Sequence, residues 1–310
     1  MPSLGTTSTE LRRLKPVCEA RDREERKKRV MSLVTEALPL PQGRIFELVR
    51  RLSQPVMDLR EVTAIICADP SLQGKILGLL SSSDCEEYQQ PLAVSDAVVL
   101  LGSERLRILV LGCALADFAG RHLPAETLRA FWQHSILTGL LSQRIAREVL
   151  REEVEKAYWG GLLHDIGRLP LLIVAHEQSQ RGQRISGAVF DHPELERSYF
   201  GVDHCEIGRW IARSGNFPSW MSDVIECHHD QAQAGDHAAL VATIAAADRC
   251  LPPMQENSRA DAETPDWSAA YGDLISGMRP RRLMEQYEAA QSRFLQDSAA
   301  HSPFPCFGFC

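Results

Sequence analysis

Histidines and aspartates occupy inward-facing positions on several predicted helices of this chain. The chain has ten histidines, and two aspartates join those that lie on inward faces. Burying several imidazoles and carboxylates costs free energy unless the groups pair with one another or share a cation. Their residue types and positions therefore predict one metal site with nitrogen and oxygen ligands. The candidate ligands are His134, His164, Asp165, His204, His228, His229 and Asp248.

The inward direction follows from the apolar residues that share a helix face with each candidate. His134 begins an apolar stripe that continues through Leu137 and Ile145, and Asp248 ends a stripe that begins at Val241. A lone histidine on such a face is more often a hydrogen-bonded core residue than a metal ligand. Five predicted helices, each with an inward polar residue, favour a shared site instead.

The segment GLLHDIGRL contains the adjacent pair His164 and Asp165 between glycines. Gly160 and Gly161 permit close approach of a second helix, and Gly167 permits a sharp exit after the pair. A ligand set of imidazoles and carboxylates suits Fe, Mn, Zn, Co or Mg. The residues alone do not choose among these metals.

Cysteines adjoin two of the candidate histidines. Cys205 follows His204 and Cys227 precedes His228, but neighbouring residues of a helix point about 100° apart. We therefore interpret both cysteines as packing residues. The nine cysteines of the chain include no CxxC pair, which favours reduced thiols.

The composition predicts a globular protein without a membrane span. Of the 310 residues, 44% are hydrophobic and 24% are charged, so the chain can bury a sizeable core. The apolar runs are shorter than the roughly 18 residues that a membrane span needs. A net charge of −7 argues against direct DNA binding, which needs clustered Lys and Arg. The N-terminus lacks the apolar stretch of a secretory signal, and we expect a cytoplasmic protein.

Helical spacing of apolar residues dominates from residue 30 to residue 251, and strand-like alternation is hard to find. The predicted fold class is all-α, a multi-helix bundle of two packed helical subdomains. One helix is expected to start at Asp58 with a capping box and to end before Pro70. The other predicted helices cover residues 43–53, 72–80, 94–101, 103–118, 126–150, 153–165, 203–213, 219–229 and 237–251, with a polar stretch at 177–193.

The two ends of the chain differ from the region between them. Residues 1–37 form a charged extension, in which positions 10–29 hold nine Lys/Arg and five Asp/Glu. Such a charge run predicts a solvated extension or helix, with a contact to an anionic partner as the alternative. The helical domain covers 38–251, with halves at 38–122 and 123–251. Residues 252–310 are expected to form a linker, a helix near 267–295 and a tail.

The order of the candidate ligands resembles that of the HD superfamily of metal-dependent phosphohydrolases. In that superfamily a His, a HisAsp pair and an Asp supply a metal site, and here these positions match His134, His164, Asp165 and Asp248. His204 and the pair His228–His229 resemble residues that complete a second metal site in the HD-GYP cyclic di-GMP phosphodiesterases.

Three departures from the HD-GYP pattern weaken the case for an active phosphodiesterase. No GYP motif follows His229, and Arg168 stands where the HDIGK pattern has lysine. Ala130 stands four residues before the first histidine, where those enzymes carry a carboxylate.

The N-terminal half resembles the HDOD family, a group related to the HD superfamily. Three segments match in order: LPLPQGRIFELVRRL, IICADPSLQGKILGLLSSS and AVSDAVVLLGSERLRILVL. The resemblance runs from about Leu38 to Asp248, with Ser81–Ser83 replacing a common Asn-Ser. It implies an all-helical bacterial signalling module with an HD-like C-terminal half, generally without hydrolase activity.

We therefore predict a non-enzymatic regulatory module with a retained His/Asp metal site. Its expected partners are other signalling proteins, including components of cyclic-di-nucleotide pathways. The alternative is a metal-dependent phosphohydrolase or cyclic-di-nucleotide phosphodiesterase, in which Arg168 clamps a phosphate with its planar fork. A third hypothesis is a metal that only holds the helices together.

Overall fold

The computed structural model describes residues 20–37, 44–54, 56–81, 93–150, 153–183 and 185–251. These ranges contain twelve α-helices, three short 3-10 turns and no β-strand, which confirms the all-α prediction. The predicted linker, helix near 267–295 and tail lie outside the described residues. The helices are α1 (Ala20–Ala37), α2 (Arg44–Leu52), α3 (Leu59–Cys67), α4 (Pro70–Ser81), α5 (Val94–Gly120), α6 (Ala125–Val149), α7 (Val154–Leu163), α8 (Arg168–Gln180), α9 (Pro193–Phe200), α10 (His204–Ser214), α11 (Ser219–Cys227) and α12 (Ala238–Arg249).

Local sequence signals set several helix ends. The Asp58 carboxylate accepts hydrogen bonds from the backbone N–H groups of Arg60 and Glu61 and so caps α3 as predicted. Asp203 caps α10 in the same way, through the backbone N–H of Glu206 at 2.8 Å. These caps satisfy backbone donors that the first turn of a helix leaves without a partner.

Gly102 divides α5 into two segments, at the position where the sequence predicted a break between two helices. Its backbone has φ 69° and ψ 172°, a region that only glycine adopts without strain. The helix therefore bends at this residue.

Helices α8 and α9 were not predicted from the sequence. The first turns of α8 are buried on all sides, from Arg168 to Val174, so their apolar residues show no one-sided helical period. Helix α9 does carry end signals, because Pro193 occupies its first turn and Gly201 ends it with φ 78°.

The two halves of the bundle share one hydrophobic core. In the N-terminal half, α2, α3 and α4 pack against α5. In the C-terminal half, α6 and α7 form the most extensive helix pair, and α12 contacts both. Helix α11 contacts α7 and α12, and α10 packs against α11 and α8. Helix α5 contacts α6 and α8, so it joins the halves. No helix within the described ranges is long and apolar enough to span a membrane.

Helix α1, within the charged extension, packs on the C-terminal half. Val30 and Leu33 are fully buried, and Arg26 donates to the backbone carbonyl of Tyr199 at 2.9 Å. The Arg29 guanidinium binds the Glu177 carboxylate of α8, with its closest nitrogen–oxygen distance at 2.6 Å. This ion pair and the buried apolar face fix α1 to α8 and α9.

The Arg29–Glu177 pair predicts a pH-dependent contribution to stability. The hydrogen bond from Arg29 lowers the pKa of Glu177, so the pair stabilises the fold above the ordinary glutamate pKa and loses this effect as pH falls through the lowered value. Because both side chains are partly exposed, Glu177→Gln should lower the free energy of unfolding at pH 7 by roughly 0.5–1 kcal/mol. Urea unfolding at pH 7 and at pH 3 measures this, and an equal loss at both values would contradict it.

Candidate metal centre

A first group of possible ligands lies where α6, α7 and α12 meet. It comprises His134, His164 and Asp165, whose ligand atoms lie within 4.8 Å of one another. The Asp248 carboxylate lies beside them, with Oδ1 3.0 Å from His134 Nε2 and 3.5 Å from His164 Nε2. All three members of the first group are buried, so the imidazoles and carboxylates share a space away from bulk water.

A second group lies at the start of α10 and just after α11. It comprises His204, Cys205, His228 and His229, whose ligand atoms also lie within 4.8 Å of one another. His204 Nε2 and His228 Nε2 are 3.2 Å apart. His204 and His228 are buried, whereas His229 is exposed.

The Asp165 carboxylate lies between the two groups. Its Oδ2 is 3.5 Å from His164 Nε2 and 3.8 Å from His134 Nε2. Its Oδ1 is 3.3 Å from His204 Nε2 and 3.6 Å from His228 Nε2. One carboxylate thus faces two histidine pairs, an arrangement that suits a carboxylate shared by two cations.

Glycines allow the helices that carry these ligands to touch. A Cβ atom at Gly161 of α7 would lie 2.7 Å from the Cα of Gly139 in α6. A Cβ at Gly167, before α8, would overlap the carbonyl oxygen of His204 and lie 2.6 Å from the backbone nitrogen of Gly208. These contacts bring the His164–Asp165 turn against both α6 and α10. The approach at Gly161 confirms the predicted close helix contact. Gly167 was predicted to permit a sharp exit, but its φ is −69°, and it is needed instead for packing against α10.

The sequence profile of the HDOD domain matches residues 38–231. The chain belongs to the HDOD family. A curated relative, an uncharacterized protein of Treponema pallidum (strain Nichols), is 24% identical over 276 residues. That alignment covers 85% of this chain but 51% of the relative, so this chain spans about half of the relative's length.

Solved structures share the HDOD fold of this chain. An HDOD domain protein of unknown function from Geobacter sulfurreducens is 21% identical, with a TM-score of 0.51 over 89% of this chain and 94% of that one. A Shewanella amazonensis protein, provisionally assigned as a metal-dependent phosphohydrolase, is 17% identical, with a TM-score of 0.52 over 88% and 99% of the two chains. These likenesses support the fold expected from the sequence.

Glu196 of α9 orients His204 in this HDOD protein. Its Oε2 accepts a hydrogen bond from the backbone N–H of His204 at 2.8 Å and lies 2.6 Å from His204 Nδ1. Because that oxygen already accepts from the backbone, we assign the Nδ1 proton to the same hydrogen bond. The lone pair of Nε2 then faces Asp165 and His228. Carboxylates orient metal-binding histidines in this way.

Arg168 is buried beside Asp165. Its Nε lies 3.0 Å from Asp165 Oδ2, so the guanidinium neutralises part of the carboxylate charge. The structure thus places Arg168 against a candidate ligand. Phosphate binding by Arg168 stays a prediction.

The electrostatics of the centre keep Asp165 and Asp248 ionised. Burial would raise the pKa of Asp165, but Arg168 and nearby imidazoles outweigh it and hold that pKa well below its ordinary value. Burial would also raise the pKa of Asp248, but the neighbouring imidazoles of His134 and His164 hold it low. Ionised carboxylates are the form that binds a metal.

Several buried polar atoms of the centre lack hydrogen-bond partners in the part of the chain that the structure describes. They include both nitrogens of His134, Nε2 of His164 and both carboxylate oxygens of Asp165. Buried polar atoms are normally paired, and exceptions need an explanation such as an ion. Imidazole nitrogens and carboxylate oxygens around one space fit a divalent cation of the Fe, Mn, Zn or Co type.

All seven candidate ligands predicted from the sequence lie in this region, although they form two groups rather than one cluster. Cys205, interpreted as a packing residue, has its sulfur among the ligand atoms of the second group. Cys227 is buried and is not part of that group. The role of Glu196 was not predicted from the sequence. Its spacing from Tyr199 and Phe200 nevertheless places it on the inward face of α9.

A cavity of about 810 Å³ opens beside the second group. Its lining includes Cys205 and His229 but not the other six candidate ligands. Five carboxylates and two arginines line it. Both arginines are already paired, Arg197 with Asp203 and Arg209 with Glu226. The cavity therefore favours positively charged solutes.

Substitution of Gly167 should disturb the centre through packing alone. Because its backbone φ is −69°, alanine meets no conformational penalty, but its Cβ would collide with the backbone of α10. We expect Gly167→Ala to lower the free energy of unfolding by roughly 3 kcal/mol or more. The matched control is Gly74→Ala in α4, where no atom lies within 4 Å of the new Cβ and helix propensity predicts a gain of up to about 1 kcal/mol. Similar denaturation midpoints for the two variants would contradict this packing account.

Addition of Mn²⁺ or Fe²⁺ should raise the melting temperature. A cation at 100 times its dissociation constant stabilises the native state by about 2.7 kcal/mol. Asp165→Asn should abolish most of this increase because it removes the carboxylate between the groups. The control variant is Glu155→Gln, which alters a half-exposed ion pair with Arg105 and should keep the full increase. Equal metal-induced shifts in both variants would place the cation elsewhere.

Proposed function

We propose that this protein is a non-enzymatic regulatory module of the HDOD type that acts through protein–protein contacts and retains a His/Asp metal site. The observation that carries the proposal is the separation of the first group from the cavity. His134, His164 and Asp165 are buried by protein atoms, and none of them lines the cavity. A nucleotide in this cavity would not reach the residues that correspond to the HD pattern.

The charge of the cavity also argues against a phosphate substrate. Its carboxylates outnumber its arginines, and each arginine is engaged by a carboxylate. A phosphodiester that entered would meet a surplus of negative charge without a free guanidinium. Sites that bind phosphate normally offer arginine, lysine or backbone N–H donors.

Arg168 and Ala130 support the same proposal. The Arg168 guanidinium binds the Asp165 oxygen that faces the first group, and so competes with a cation for that carboxylate. Ala130, one helical turn before His134 in α6, offers no ligand atom. Metal binding at the first group is then weaker than in a site with a free carboxylate at each position.

A metal-dependent phosphohydrolase is the second candidate, and the position of Asp165 favours it. A carboxylate between two histidine pairs is suited to hold two cations, which together supply an activated water to a phosphate ester when bound. In that case Asp165 and Asp248 would hold the cations, while Glu196 would fix the orientation of His204. A substrate would need the first group to open.

A turnover assay on metal-loaded protein separates the two candidates. The full chain loaded with Mn²⁺, Fe²⁺ or Zn²⁺ should leave cyclic di-nucleotides, nucleotides and a generic phosphodiester unhydrolysed. Metal-dependent turnover that disappears in Asp165→Ala and persists in Glu155→Gln would overturn the regulatory proposal. The result that favours a purely structural metal is a lower melting temperature after chelation in a protein that catalyses no reaction.

A further inference from the structure

Cys205 lies among the histidines of the second group. It follows His204 in the first turn of α10, and its sulfur is one of four potential ligand atoms within 4.8 Å of one another. A closed tetrahedral site with zinc-like bond lengths would separate its ligand atoms by about 3.3–3.6 Å. Small rotations of the side chains would therefore bring three imidazoles and one thiolate onto a single cation.

Two of these imidazoles are already oriented for a cation. His204 Nδ1 is engaged by Glu196 at 2.6 Å, and His228 Nδ1 lies 3.1 Å from the carbonyl oxygen of Ile225. Each Nδ1 can donate its proton to these acceptors, which leaves the Nε2 lone pairs facing one another. Their separation of 3.2 Å is close to the about 3.3 Å between two nitrogens of a tetrahedral site.

An independent feature also indicates a cation at this place. Asp165 is fully buried, and its Oδ1 has no hydrogen-bond partner. That oxygen faces the second group, 3.3 Å from His204 Nε2 and 3.6 Å from His228 Nε2. A buried carboxylate oxygen beside two imidazole lone pairs is unfavourable unless a nearby positive charge offsets it.

We propose that the Cys205 thiolate binds a divalent cation together with the three histidines of the second group. The resulting set of three nitrogens and one sulfur selects Zn²⁺, or Co²⁺ in its place, over Mn²⁺ and Mg²⁺. Binding breaks the S–H bond of Cys205 and releases its proton to solvent, while His204 and His228 keep their Nδ1 protons. A four-ligand set has no open position for a substrate, so this cation holds α10 to the turn after α11.

The acidic cavity gives the cation a route to this site. Cys205 and His229 line it, so a metal in the cavity meets the thiol and the exposed imidazole first. The carboxylates around the cavity raise the local concentration of cations.

Cobalt titration of the full-length protein tests the proposal, which rests on the metal-binding part of the proposed function. Co²⁺ bound to the second group should give a thiolate-to-cobalt charge-transfer band and the intense visible bands of tetrahedral Co²⁺. Addition of Zn²⁺ should bleach both. Cys205→Ser should lose the charge-transfer band and weaken Co²⁺ binding by more than the 10–100-fold that loss of an outer-sphere partner costs.

Cys227→Ser is the matched control. Cys227 is buried next to a candidate histidine in sequence, as Cys205 is, but it is outside the second group. The variant should keep the band and the affinity. A band that survives in Cys205→Ser, or disappears in Cys227→Ser, would overturn the assignment of Cys205 as ligand.

A measurement on the wild-type protein covers the case in which Cys205→Ser does not fold. Bound Zn²⁺ should protect Cys205 from alkylation by at least tenfold in rate, while Cys67, which is exposed, reacts equally with and without the metal. Co²⁺ binding without a thiolate band or protection would overturn this inference and leave the nitrogen and oxygen centre intact. Absence of any metal binding would overturn both.

Discussion

The buried charge of Asp165 is the interaction on which the rest of the centre depends. An ionised carboxylate in a protein interior needs compensation that packing alone does not provide. Here Arg168 supplies one contact at 3.0 Å, and imidazoles from three other helical regions surround the two oxygens. The same arrangement keeps Asp165 ionised and makes the space around it attractive to a cation.

Close backbone packing is what allows this charge to be surrounded. The turn that carries His164 and Asp165 lies against α6 at Gly139 and Gly161, and against α10 at Gly167. Side chains at these positions would push the helices apart and leave Asp165 with fewer compensating groups. The metal centre therefore depends on the glycines, because only they allow the helices to approach closely enough to surround Asp165.

The two groups of candidate ligands differ in their access to the cavity, and this difference bears on function. The first group, with the HD-like ligands, is closed by the core, whereas the second meets an acidic cavity. Catalysis would require a phosphate ester to reach the closed group through a cavity of unfavourable charge. A cation that only holds helices together has neither requirement.

The sequence by itself determined the helical class, the start of α3 at Asp58, the bend at Gly102 and the inward position of six of the seven predicted histidines and aspartates, because each depends on local chemistry or on helical period. His229 was also predicted to lie inward, but the structure leaves it exposed. Tertiary structure alone decided what depends on distance between segments. It placed Asp165 between two histidine pairs and brought Glu196 to His204. It also turned Cys205 toward the histidines, although the angle between neighbouring helix positions argued otherwise. A helical wheel gives the direction of each Cβ, but the reach of a side chain and the approach of neighbouring helices determine which atoms meet.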